Sequence, residues 1–278
     1  MNAHVHLELP ACESLGGQGF LPWLRSWRDA GDPRAKPSAA TARANALAVS
    51  AFETTAVVDV GNLGVSEAAR QEAGLEGCAF REVFGFDEPM AAAPFEDATP
   101  HAPYSTHADT IRDVAARGRP WTIHVDEDEA EREFLFSGGG AWLNMLLAAG
   151  RDLRGWRPPG LTPVRYLDSL GVLGPNALLV HCTLTRDTDL DLLAERGVTV
   201  CICPRSNLHI TRRLPDVMGL FDRGVRVVIG TDSLLSAPDL DVRNEVAVLQ
   251  EAFPAVSGDR WDRCLYDDAW AWLDRSAS

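Results

Sequence analysis

Leu178-Leu179-Val180-His181 is a short apolar run that closes on a histidine, and its reading decides the fold. A strand with one wet face alternates polar and apolar residues; a strand covered on both faces, as in a parallel sheet, reads as a continuous apolar run. Trp121-Thr122-Ile123-His124 and Val228-Ile229-Gly230-Thr231-Asp232 repeat the pattern, each ending on a metal-ligating residue type. Further strands are expected at 54–61, 79–86 and 198–203. Helical signals lie between them: 66–73 before Gly74, 106–117 before Gly118, and a helix from Thr188 over Leu190, Leu192 and Leu193 to Gly197. Leu214, Val217, Met218 and Phe221 follow at i, i+3, i+4 and i+7, and Val242, Val246, Leu249 and Phe253 give the last clear stripe. Alternating strands and helices predict an α/β fold with a parallel sheet. If that sheet closes into a barrel, side chains at the C-terminal strand ends meet at one mouth.

His4-Val5-His6 adds two imidazoles at i and i+2, which leave a strand on the same face and suit one cation. Three places depart from a regular barrel. Only Met1-Asn2-Ala3 precede the pair, fewer than the ~5 residues of a typical strand. The stretch from Asp87 to Thr99 is Ala- and Pro-rich and too short for a helical crossover and a full strand. Residues 134–176 are long for one connection and carry Gly138-Gly139-Gly140, which predicts a helical insertion or lid, a surface loop being the plainer alternative. The tail of the charge-dense stretch from Asp126 to Glu133 reads as a solvated first helical turn.

At 278 residues with 46% hydrophobic content, one domain is expected. A net charge of −14 argues against nucleic acid and anionic membranes as partners. No run approaches the ~18 apolar residues of a membrane span, and no secretory leader is visible. Six scattered cysteines lack disulfide spacing, consistent with the cytoplasm. Cys201-Ile202-Cys203 reads as core packing, and so does the Phe20, Trp23, Leu24, Trp27 stripe. Nucleophile-elbow, phosphate-loop and dinucleotide signatures are absent.

Six segments, in order, resemble the amidohydrolase superfamily: Asn2-Ala3-His4-Val5-His6-Leu7-Glu8, Pro100-His101-Ala102-Pro103-Tyr104-Ser105, His124-Val125-Asp126-Glu127, Val180-His181-Cys182, Cys203-Pro204-Arg205-Ser206-Asn207 and Gly230-Thr231-Asp232-Ser233. Within it they look most like deaminases and chlorohydrolases, closest to the aminodeoxyfutalosine deaminases of menaquinone biosynthesis. The resemblance implies a TIM-type (β/α)8 barrel beside a small β-sandwich. Here the sandwich segments, most of the first strand, the third helix and much of the fourth strand are expected to be missing, leaving an incomplete barrel.

The resemblance further implies His4, His6, His124 and Asp232 as ligands of one divalent transition metal, zinc by default with iron or manganese compatible. On an apolar strand, His124 alone would read as a core histidine. Glu127 is implied as the proton shuttle to a ring nitrogen, against a solvent-facing acid; His181 as the group acting on the attacking water, against a buried structural histidine; Asp232 as a proton acceptor. His101 is implied as a substrate contact. Arg205 is a candidate for gripping a substrate carboxylate, against an ion pair, and Glu8 for a ribose hydroxyl. Ser233 and Asn207 read as supporting or turn residues. Three functions follow as expectations: a deaminase of an adenine-type nucleoside, with 6-amino-6-deoxyfutalosine favoured; another amidohydrolase cleaving a ring C–N or C–Cl bond; or a non-catalytic remnant. A small-molecule substrate is expected, and a homodimer is compatible.

Overall fold

The computed structural model describes residues 1–28, 36–86 and 95–274. Eight strands form two four-stranded parallel sheets: β1 (Asn2–Val5), β2 (Ala56–Gly61), β3 (Glu76–Val83) and β4 (Ala98–Pro100) in one, and β5 (Trp121–Val125), β6 (Ala177–His181), β7 (Thr199–Ile202) and β8 (Arg226–Ile229) in the other, each in sequence order. The sheets are bridged at both edges. Between β4 and β5, the His124 amide donates to the His101 carbonyl at 2.9 Å. Between β8 and β1, the Thr231 and Asp232 amides donate to the His4 carbonyl at 3.0 and 3.1 Å. A Cβ on Gly230 would sit 2.7 Å from that same carbonyl oxygen, so only glycine permits this approach.

The fold is therefore the expected TIM-type barrel, and the expectation that its first and fourth strands are too short to close it is corrected. The first strand contains His4 rather than ending before it, so Met1-Asn2-Ala3 need not form a strand alone. The fourth strand is short but pairs with β3 through Arg81, Glu82 and Val83. The missing third helix concerns 87–94, which lie outside the described residues. Among the described residues, no strand lies outside the two sheets.

Alternation sorts the side chains. Ala56, Val58, Leu178, Val180, Cys201, Cys203 and Val228 fill the interior, where Trp272 from helix Asp267–Leu273 joins them. Val125, Leu179, Val200, Ile202, Val227 and Ile229 face outward and meet the helical stripes, including Leu190, Leu193, Val217, Leu220 and Leu249. Both faces are dry, which is why these strands read as unbroken apolar runs. Helices missed by periodicity lie at Ala39–Ala51, Pro204–Thr211, Gly258–Leu265 and Asp267–Leu273. Within 134–176 lie the C-terminal end of helix Glu129–Ser137 and helices Gly140–Ala148 and Pro163–Ser169. No described helix is long and apolar enough to cross a membrane.

Candidate metal centre and substrate cavity

Three backbone devices aim side chains into the barrel mouth. In β1 the register with β2 shifts between Asn2 and Val5. Ala3 faces the interior, yet Val5 and Leu7 pack outward, so the shift turns His4 and His6 inward together. In β6, Val180 points inward, and a φ of +78° at His181 breaks the alternation that would have sent its ring outward. Positive φ also occurs at Asp126 (+56°), just past β5, and at Asp232 (+61°), just past β8. Non-glycine residues held there cost about 1–3 kcal/mol each. Such strain concentrates at functional sites, and here it accompanies the strand ends that carry the candidate residues.

His4, His6 and His124 converge, with one ring nitrogen from each within 4.8 Å of the others. The Nε2 atoms of His4 and His124 are 3.1 Å apart, and Asp232 Oδ1 lies 3.5 Å from His6 Nε2 and 4.0 Å from His4 Nε2. The Nδ1–H of His6 donates to the Val60 carbonyl at 2.7 Å, and that of His124 to the His101 carbonyl at 3.0 Å. Both rings therefore present bare Nε2 lone pairs. Burial holds His6 and His124 neutral, with pKa values lowered to about 4, and raises that of Asp232. Lone pairs facing a buried carboxylate oxygen across 3.5 Å repel unless a cation lies between them. Three imidazoles and one carboxylate with that unresolved repulsion fit a divalent transition metal.

Beside the cluster opens a cavity of about 440 Å³. Its wall includes His6, His101, His124, Glu127, His181 and Asp232 at one end. Phe20, Trp23 and Trp27 from helix Phe20–Arg28, and Trp142 and Met145 from helix Gly140–Ala148, make an aromatic arm that also includes the exposed Arg28 and Arg151. Trp142 stacks on Tyr104 with ring centroids 4.2 Å apart. The Trp23, Trp27 stripe, read as packing more than as a substrate platform, does both: Trp23 meets Ile210 and Leu235 and also walls the cavity.

His181 Nε2 and Glu127 Oε1 face each other at 3.7 Å. Asn207 Nδ2 donates to His181 Nδ1 at 3.0 Å, which places the ring proton on Nε2, toward Glu127. Burial, then the carboxylates of Asp232, Asp128 and Glu131, push the pKa of Glu127 well above the usual carboxylate range. The Glu127 amide donates to Glu131 Oε2 at 3.0 Å. Glu131 is only 1% exposed, so the expected solvated turn is in part a buried acidic shell, with Glu129 and Glu133 its exposed members.

Two candidate residues lie elsewhere. Arg205 is not in the cavity wall: its Nε donates to Glu245 Oε1 at 2.6 Å and its Nη2 to Asp239 Oδ1 at 2.9 Å. The ion-pair reading replaces the substrate grip. Removing one partner of a buried pair strands the other, so Arg205→Ala should cost about 3–5 kcal/mol in denaturant unfolding and leave KM unchanged. A raised KM with normal stability would return Arg205 to the substrate. Glu8 is also committed, accepting from the Asn62 and Leu63 amides at 2.7 and 3.0 Å.

Sequence reasoning missed the hydroxyls of Ser206 and Ser236, which donate to Asp232 Oδ2 at 2.6 and 3.0 Å and leave Oδ1 facing the histidines. It also missed Glu82 and Asn62 in the cavity wall. An acid inside the apolar strand expected at 79–86 was the available signal for Glu82.

A sequence profile of the Amidohydrolase family matches residues 90–255. Aminodeoxyfutalosine deaminase of Deinococcus radiodurans is 31% identical, the alignment covering 92% of this chain and 68% of that protein. A 5'-deoxyadenosine deaminase of Methanothermobacter thermautotrophicus is 34% identical over 53% of this chain and 31% of its own length. Among solved structures, Helicobacter pylori aminofutalosine deaminase in complex with methylthio-coformycin superposes with a TM-score of 0.77 at 19% identity, over 98% of this chain and 72% of that one. An adenosine deaminase from Xanthomonas campestris with bound zinc gives 0.74 at 21%, over 99% and 66%. These structural likenesses speak to the fold; the profile and the Deinococcus alignment, spanning most of the chain, carry the kinship. The chain belongs to the amidohydrolase family.

Proposed function

We propose that the protein is a metal-dependent deaminase of adenine-type nucleosides, with aminodeoxyfutalosine the favoured substrate and zinc the favoured metal. As an amidohydrolase it is a hydrolase of non-peptide C–N bonds in cyclic amidines. The observation that carries the reading is the pairing of Glu127 with His181, 3.7 Å apart in the cavity that also exposes the histidine–aspartate cluster. His4, His6, His124 and Asp232 would hold the ion. When bound, a divalent cation supplies Lewis acidity that makes water nucleophilic near neutral pH. Asp232 Oδ1, its other oxygen held by two serines, accepts a proton from the attacking water. Buried Glu127 holds a proton and gives it to the ring nitrogen beside the attacked carbon. His181 turns Nε2–H toward the developing oxygen charge. The proton on Asp232 then passes to the amino group, which leaves as ammonia, while the proton of the added hydroxyl returns to Glu127 and the ring carbon becomes a carbonyl.

The aromatic arm supports a substrate with a bulky apolar substituent. Arg28 and Arg151 line this cavity, whereas Arg205 does not. Helix Gly140–Ala148 supplies part of that arm, which supports the reading of 134–176 as a lid.

Ammonia release should show the highest kcat/KM with aminodeoxyfutalosine and lower values with adenosine and S-adenosylhomocysteine. Metal-replete protein that turns over no aminopurine would refute the reading.

A further inference from the structure

Among the described residues of the cavity wall, Glu82 is the one acidic side chain that the proposed chemistry does not use. It lies on β3 with its side chain 4% exposed. Its Oε2 accepts from Asn62 Nδ2 at 3.2 Å. Its Oε1 is buried without a hydrogen-bond partner and lies 3.4 Å from Nδ1 of His124. The backbone beneath Asn62 is itself clamped, because Glu8, 1% exposed, takes the amides of Asn62 and Leu63, one on each carboxylate oxygen. A chain of contacts thus runs from Glu8, just past the histidine pair of β1, through Asn62 and Glu82 to the histidine of β5.

We infer that Glu82, held by Asn62 and Glu8, is a positioning residue that buttresses His124 for metal binding. The inference rests on the assignment of His124 as a ligand. His124 Nδ1–H now donates to the His101 carbonyl at 3.0 Å, with Glu82 Oε1 waiting 0.4 Å farther off. Drawing electron density from Nε2 makes Nδ1–H a stronger donor, and Glu82 Oε1 stands beside it as a second acceptor. Sharing the proton with Glu82 locks the ring plane and strengthens Nε2 as a donor. It also gives the orphaned oxygen a partner, which an unsatisfied buried carboxylate otherwise lacks.

Glu82→Gln probes this with little change of volume. The glutamine carbonyl can accept from Asn62 or from His124, but its NH2 then opposes the remaining donor. Metal affinity, read by competition with a chromophoric chelator, should fall about 10–100-fold, the usual loss when a partner behind a ligand is removed. The melting temperature of metal-free protein should stay near the wild-type value. Asn62→Ala, which keeps the carboxylate but frees it to turn, should give a smaller loss of the same sign and serves if Glu82→Gln folds poorly. Affinity within twofold of wild type in both variants overturns the buttress. So does a rise in KM alone, which would make Glu82 a substrate contact. Wild-type protein that takes up no stoichiometric metal sinks the ligand assignment itself, a result distinct from either.

Discussion

An Asp232→Ala variant is expected to bind divalent metal more than about 100-fold more weakly than the wild type, beyond the range for losing a partner behind a ligand. Deamination should disappear with it. Asp232 is the only anionic member of the cluster, and the other three are imidazoles held neutral by burial. Neutral rings alone leave a dication uncompensated in a dry site, where charge is costly. Ser206 and Ser236 fix one carboxylate oxygen and leave the other 3.5 Å from His6 Nε2, facing the histidines. Metal analysis after gel filtration, with circular dichroism as a check on folding, decides the matter. One retained equivalent of metal in a folded variant would remove Asp232 from the ligand set.

Much of this was legible because it follows from local rules. Leu178-Leu179-Val180 reads as buried strand because both of its faces are dry, and Gly197 marks a helix end because it adopts the left-handed conformation that glycine favours. Histidine and aspartate at strand ends pointed to the mouth because barrel geometry leaves few other destinations. What stayed hidden depends on contacts distant in sequence. Arg205 in its own motif reads as available for a substrate, but its partner Glu245 lies forty residues later in the chain. Nothing near Glu8 announces that the loop after β2 will cover both of its oxygens with amides. Closure at β1 was underestimated because strand length was counted from the residues before His4, whereas the seam is made by the carbonyl of His4 itself. The three inward turns, at β1, His181 and Asp232, are backbone departures that no period-2 pattern encodes.

Glu127→Gln should separate proton transfer from metal binding. The substitution preserves shape, leaves His4, His6, His124 and Asp232 intact, and removes the ionisable carboxyl proton. Metal content should match the wild type while kcat falls about 10²–10⁴-fold, the contribution expected of a positioned general acid. The pH dependence supplies an independent sign. Burial, reinforced by neighbouring carboxylates, raises the pKa of Glu127, so its acid form persists to a higher pH than for an exposed glutamate. If that acid protonates the ring, wild-type kcat holds as pH rises from the ordinary carboxylate range and declines only when the raised pKa is crossed. Glutamine cannot titrate, so the residual activity of the variant should lack that alkaline decline. A variant that loses kcat but keeps the same alkaline limb would assign the limb to another group, with His181 and Asp232 next to be tested. A variant with unchanged kcat would take Glu127 out of the reaction and leave the strain at Asp126, which turns the chain just before it, without a catalytic purpose.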